Sequence, residues 1–132
     1  MAKIERFEDV RAWQMARELT NLVYDATETG NFARDFRLKD QIQGASGSIM
    51  HNIAEGFDAG ADNEFIPFLK YARRSASEVQ SQLYLALDRK YISTEQFQDL
   101  YERTTEIKKS INALIAYLRK SQNRHPGKSP RD

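Results

Sequence analysis

The sequence predicts an all-α fold, an antiparallel up-down-up-down four-helix bundle, and three observations carry that prediction. Four stretches repeat apolar residues at helical spacing, and strand-like alternation appears nowhere. Proline and glycine supply the punctuation. The stretches are similar in length, roughly 20 residues or about 30 Å at 1.5 Å per residue, and short connections set consecutive helices side by side in opposite directions.

The 132 residues suffice for one domain with its own core. Helices are predicted at about 8–29, 38–57, 63–90 and 94–121, so that residues 1–121 form the bundle. In the first, Val10, Trp13, Ala16, Leu19, Leu22, Val23 and Ala26 share a face, and Gly30-Asn31 ends it as a C-cap glycine does. Phe32 and Phe36 are expected to tuck under the bundle end. The second places Leu38, Ile42, Ala45, Ile49 and Ile53 on one stripe and is broken by Gly56 and Asp58-Ala59-Gly60. Asp62 or Asn63 is placed to cap the third. Pro67 falls in or near its first turn, where a missing N–H is tolerated. Leu69, Ala72, Ala76, Val79, Leu83 and Ala86 follow. The fourth opens with Ser93 and Gln96 at capping-box spacing. Phe97, Leu100, Thr104, Ile107, Ile111, Leu114 and Leu118 then alternate spacings of three and four, a coiled-coil seam. Residues 122–132, with Pro126 and Pro130 and no apolar period, are expected to be a disordered tail.

Twenty basic residues stand against 19 acidic ones, a net charge of +1. Beyond Lys120 the tail carries Arg124, Lys128 and Arg131 against Asp132; subtracting its +2 leaves the first 120 residues at −1. That is not the basic excess of a generic nucleic-acid-binding domain. With no cysteine there is neither a disulfide nor a thiolate metal site, which fits a reducing compartment. The opening MAKIERFEDV puts charges where a signal peptide needs an apolar core, and no apolar run is long enough to span a bilayer. A soluble cytoplasmic protein without a membrane partner is expected.

The stretch Ser48 to Gly56 reads S-I-M-H-N-I-A-E-G. It resembles the signature S-I-x-x-N-I-A-E-G of the bacterial four-helix-bundle family first noticed as proteins encoded in intervening sequences of large-subunit ribosomal RNA genes. That family also looks related to the accessory variability determinant proteins of diversity-generating retroelements. Phe7-Glu8-Asp9-Val10 with Trp13 resembles the family's opening, and Leu38-x-x-Gln41-Ile42 its entry to helix two. Glu64-Phe65, Phe68-Leu69, Ala72, and Ser75-x-x-Glu78 resemble its third helix. The resemblance covers about residues 4–120. It implies a four-helix bundle assembling as a homopentameric ring; in the retroelement branch, a basic bundle of this type binds nucleic acid and a reverse transcriptase. This chain departs from the pattern at Gln43-Gly44, where relatives often carry a basic pair, and at Met50, where proline is common.

On a helical wheel, Gln41, Ser48, Asn52 and Glu55 form a polar row beside the apolar stripe of helix two, and Met50, Ala54 and Phe57 lie on the other flank. A helix packed on one side only would not need both shoulders. The polar row, with Gly56 and with Ser75 and Glu78 on helix three, reads first as a hydrogen-bonded network fixing helix register. Arg11, Arg17 and Arg73 are further potential partners. The alternative is a ligand pocket around Asn52 and Glu55. Gly44 and Gly47 each cost about 1 kcal/mol relative to alanine inside a helix, and their simplest role is close approach of another helix. The six tyrosines are expected at the core edge or a subunit interface.

Catalytic chemistry finds little purchase. Only His51 and His125 are present, with no Glu-x-x-His pair for a di-iron site and no Ser-His-acid grouping. No cofactor or metal is expected. Arg119 followed by His125 resembles the Arg-x(4–6)-His pattern of certain helical ribonucleases. Lys70, Arg73 and Arg74, with Ser77 on the same face, form a basic patch that a ring of identical subunits would multiply into a nucleic-acid or phosphate site. The leading expectation is a non-enzymatic oligomeric scaffold or accessory protein. The alternatives are a nucleic-acid-binding accessory factor, for a reverse transcriptase or ribosomal RNA, and more remotely a ribonuclease.

Overall fold

The computed structural model describes residues 4–124, and these form four helices with no strand among them. They are α1 (Arg11–Thr27), α2 (Phe36–Asp58), α3 (Asp62–Asp88) and α4 (Thr94–Arg124). Single 3-10 turns at Phe7–Asp9 and Phe32–Arg34 precede α1 and α2. Each helix packs on its chain neighbours and α1 closes the square on α4, the antiparallel order that the short connections require. The core is the set of faces predicted by periodicity: Ala16, Leu19 and Val23 of α1, Ile42, Ile49 and Ile53 of α2, Leu69, Ala76, Val79 and Leu83 of α3, and Ile107, Ile111 and Leu118 of α4 are all buried. Each fully buried Leu or Ile is worth about 1.5–3 kcal/mol.

The helices are not matched in length. They grow along the chain from 17 residues in α1 to 31 in α4, and α4 reaches Arg124, three residues into the segment expected to be a disordered tail. Residues 125–132 lie outside the described residues. In the α4 seam Ile115 is buried while Leu114 is only half-buried, so the pattern relaxes from a heptad to the 3.6-residue period of an ordinary helix.

Local chemistry sets the ends. The first helix begins at Arg11 and not at Glu8, because the Asp9 carboxylate accepts from the Glu5 and Arg6 amides and winds Phe7–Asp9 into a 3-10 turn. Those two bonds hold the Asp9 carboxyl below its ordinary range. α1 stops at Thr27; Gly30, at φ 57°, turns the chain beyond it. The N-cap of α3 is Ala61, and Asp62 is instead the buried first residue of the helix. Pro67 sits in the second turn of α3, past the position where its missing N–H is harmless. Its ring is on the exposed side. α3 ends in a Schellman turn, the Tyr91 and Lys90 amides donating to the Ala86 and Leu87 carbonyls, with Lys90 in the left-handed region at φ 61°. The Ser93–Gln96 capping box forms reciprocally, at 2.9 and 3.1 Å.

At the end where α1 and α3 finish, Phe32 is buried and stacks on Tyr91 with ring centroids 5.2 Å apart. Phe36, expected beside it, is 71% exposed. It is the first residue of α2 and faces outward, opposite Leu38. Tyr91 donates from its hydroxyl to Asp35 at 2.9 Å, and Asp35 also caps α2 by accepting from the Leu38 amide. The Leu38 bond first, then the Tyr91 bond, lowers the Asp35 pKa.

The α1–α4 joint is the loosest side of the square. Two clefts of about 290 and 300 Å³ lie along it, one lined by Met15, Glu18 and Arg103 and the other by Leu22, Ala26 and Leu100. Arg103 bridges it by donating to Glu18 at 2.9 Å while held by Asp99 at 3.1 Å, and ion pairs this exposed contribute little.

The depressed Asp35 pKa has a defined sign. Its stabilising contribution is complete above the unfolded value near 3.8 and is lost as pH falls through the lower folded value. Asp35→Asn keeps a capping side chain without the charge. Urea unfolding is therefore expected to show wild type ahead of Asp35→Asn at pH 7, with the difference shrinking below pH about 4. A gap unchanged down to the lowest accessible pH would refute this role.

Candidate functional site

The signature row falls at the α2–α3 joint. The Ser48 and Ser75 hydroxyls lie 3.0 Å apart, and Asn52 donates from Nδ2 to the Ser48 carbonyl at 2.8 Å and to Ser48 Oγ at 3.0 Å. A chain of hydrogen bonds linking Asn52, Ser48 and Ser75 thus crosses from α2 to α3. Glu55 and Glu78 are exposed and stand outside it. The arginines do not reach it: Arg17 lies over the Trp13 ring and Arg73 donates to Asn112 at 2.6 Å. Asn52 and Glu55 therefore do not converge on a pocket.

Gly56 completes the joint two turns further along α2. A Cβ there would meet Phe68 Cβ at 2.6 Å and Phe65 Cδ1 at 2.8 Å, distances that real Cβ atoms do not tolerate. The last residue of the signature is thus the point where α3 comes too close for any side chain. Gly44 and Gly47 do not share that role. A Cβ at Gly44 would meet nothing within 4 Å, and one at Gly47 only the His51 ring of the same helix. Phe57 is buried in the core and Met50 and Ala54 are partly buried against it. Gln43 donates to Thr27 and ties α2 to the end of α1.

A second constellation lies between α3 and α4. Their contacts keep one antiparallel register. Arg73 reaches Asn112, Gln80 reaches Thr105 at 2.9 Å, and Tyr84 meets Tyr101 at 5.7 Å between ring centroids. At one end Lys70, Arg73, Arg74, Ser77 and Lys108 line a cavity of about 360 Å³. Lys70, Arg73 and Arg74 line it together. Lys108 was not anticipated, although it lies on α4 between Thr105 and Asn112, on the flank of the seam that turns toward α3. Gln80, 8% exposed, accepts from Lys108 at 3.2 Å and fixes that ammonium at the cavity edge. None of the four cations forms an ion pair with a carboxylate among the described residues. At the other end the rings of Tyr84, Phe97 and Tyr101 are 4.9–5.7 Å apart, and Tyr84 is 51% exposed. The Tyr101 phenol beside it pushes the Tyr84 pKa up.

Other chemistry is sparse. No group of three or more His, Cys, Asp or Glu side chains among the described residues is arranged to hold a metal ion. His51 is exposed on α2, Arg119 is exposed near the end of α4, and His125 lies outside the described residues. No helix among the described residues is long and apolar enough to cross a membrane.

Residues 8–113 match the family model described as 23S rRNA-intervening sequence protein. Among solved structures, the chain is similar to a protein of unknown function from the S23 ribosomal protein family of Bacteroides thetaiotaomicron VPI-5482. The two are 27% identical with a TM-score of 0.72, over 79% of this chain and 97% of that one. No curated protein matches the sequence.

The contrast among the glycines yields a paired test. Gly56→Ala drives a methyl into Phe65 and Phe68 and is expected to cost about 1–3 kcal/mol. Gly44→Ala, on an exposed turn, is expected to stabilise by up to about 1 kcal/mol. Chemical denaturation of both variants checks the pair, and equal effects would contradict the close approach at Gly56.

Proposed function

This chain belongs to the 23S rRNA-intervening sequence protein family, and on that premise we propose that it is a non-enzymatic oligomeric scaffold or accessory protein of the cytoplasm. The assembly we propose is a homopentameric ring. The observation that carries this reading is the use made of the signature. Ser48, Asn52 and Ser75 are engaged with one another across α2 and α3, and Gly56 is occupied by the approach of Phe65 and Phe68. On this reading the stretch Ser48 to Gly56 serves the architecture of the bundle, and activity belongs to the surface that the bundle presents.

That surface keeps large apolar side chains in water. Tyr24, Phe36, Tyr71, Tyr84, Leu85 and Tyr117 are each more than two-fifths exposed. Amphipathic tyrosine is the residue that subunit interfaces favour. The related structure is itself described as a protein of unknown function and lends no activity to this one.

A second reading, nucleic-acid binding, is favoured by one observation: Lys70, Arg73, Arg74 and Lys108 surround a single cavity with no carboxylate in its lining. Such a cluster attracts phosphate even on a body of net charge near zero, and repetition around a ring multiplies its effect.

Light scattering coupled to size exclusion checks the assembly. The expected mass is about five times the 15.3 kDa chain at micromolar concentration. A single 15.3 kDa species there would remove the oligomeric reading.

A further inference from the structure

We propose that the groove between α3 and α4 binds single-stranded nucleic acid, with phosphates at its basic end and unstacked bases on its aromatic end. The proposal rests on the nucleic-acid reading above and gives it a place and a strandedness.

The argument begins with register. On α3, Lys70, Arg73, Ser77, Gln80 and Tyr84 recur at spacings of three and four and so share one face. α4 runs antiparallel against that face, with Lys108 opposite Ser77 and Tyr101 opposite Tyr84. Phosphate-binding and base-binding groups therefore lie along one line. Tyr101 precedes Lys108 by seven residues of α4, about 10 Å at 1.5 Å per residue.

Each end suits a different part of a nucleotide chain. At the basic end four cations without carboxylate partners face one cavity of about 360 Å³. Lys108 is oriented by Gln80 and Arg73 by Asn112, so two of the four are held in place before any anion arrives. At the aromatic end the half-exposed Tyr84 ring is braced from behind by Phe97 and Tyr101. Every base has a π-face, so a braced exposed ring stacks on bases irrespective of sequence. In a duplex the bases are already stacked on each other and cannot reach such a platform. Only a single strand uses both ends at once.

The test uses the full chain and a short fluorescein-labelled polyuridine RNA, followed by anisotropy, with a labelled RNA duplex for comparison. Four phosphate contacts at a slope of about −0.7 each imply binding weakened about 50-fold between 50 and 200 mM salt. The Lys70→Ala/Lys108→Ala variant is expected to weaken binding and to lower that slope by about 1.4. Tyr84→Ala is expected to weaken single-strand binding about 5-fold or more with the slope unchanged, and Tyr84→Phe, which keeps the ring, to bind as wild type does. The duplex is expected to bind more weakly and to be indifferent to Tyr84. No binding by wild type would remove this proposal and the nucleic-acid reading together. Wild-type binding that ignores the lysine and tyrosine changes would leave that reading standing and overturn the groove assignment. Tight duplex binding, or loss of oligomeric mass in Tyr84→Ala without loss of RNA binding, would overturn the stacking platform.

Discussion

Everything else in this bundle depends on how closely α2 lies against α3. The two helices are pinned at points about two turns apart by opposite kinds of constraint. At Gly56 the limit is steric, because Phe65 and Phe68 occupy the space where any side chain would stand. At Ser48 it is polar, because the bond to Ser75 forms only when the two hydroxyls come within reach. Together they forbid both sliding and separation. Once α3 is fixed from this side, its opposite flank is fixed as well, and that flank carries the groove with α4. The signature stretch and the basic groove therefore lie on opposite flanks of α3, the first helping to fix the second.

Charge follows the same division. The α1–α4 side gathers Glu18, Asp99, Glu102 and Glu106 around Arg103, while the α3–α4 side gathers cations with no acid among them. A net charge near neutrality thus conceals an acidic lining on the α1–α4 side and a basic one on the α3–α4 side. An overall charge averages away what a helical face preserves, which is why composition argued against a basic surface that exists locally.

The helices and their buried faces were legible in the sequence because burial leaves a local record at 3.6-residue spacing, as at Ile42, Ile49 and Ile53. The Ser93–Gln96 box was legible for the same reason, being complete within four residues. Features that depend on which neighbour stands opposite were not. Gly44 and Gly47 read as places for close approach and Gly56 as a helix break, yet Gly56 lies inside α2 and is the one that α3 approaches. Lys108 reads as an ordinary solvated lysine until the antiparallel register sets it across from Ser77. Asp62 or Asn63 reads as the cap of α3, but Ala61 holds that position and Asp62 is buried at the start of the helix. Phe32 and Phe36 lie four residues apart, yet one plugs the bundle end and the other begins a helix facing outward.

The clefts along α1 and α4 give the bundle an order of disassembly. The α1–α4 side has the least packing of the four, and an exposed arginine between two carboxylates spans it. Fluctuations concentrate where the fewest buried contacts must break. Opening is therefore expected to start on this side, with the amides of α1 exchanging with solvent before those of α2 and α3.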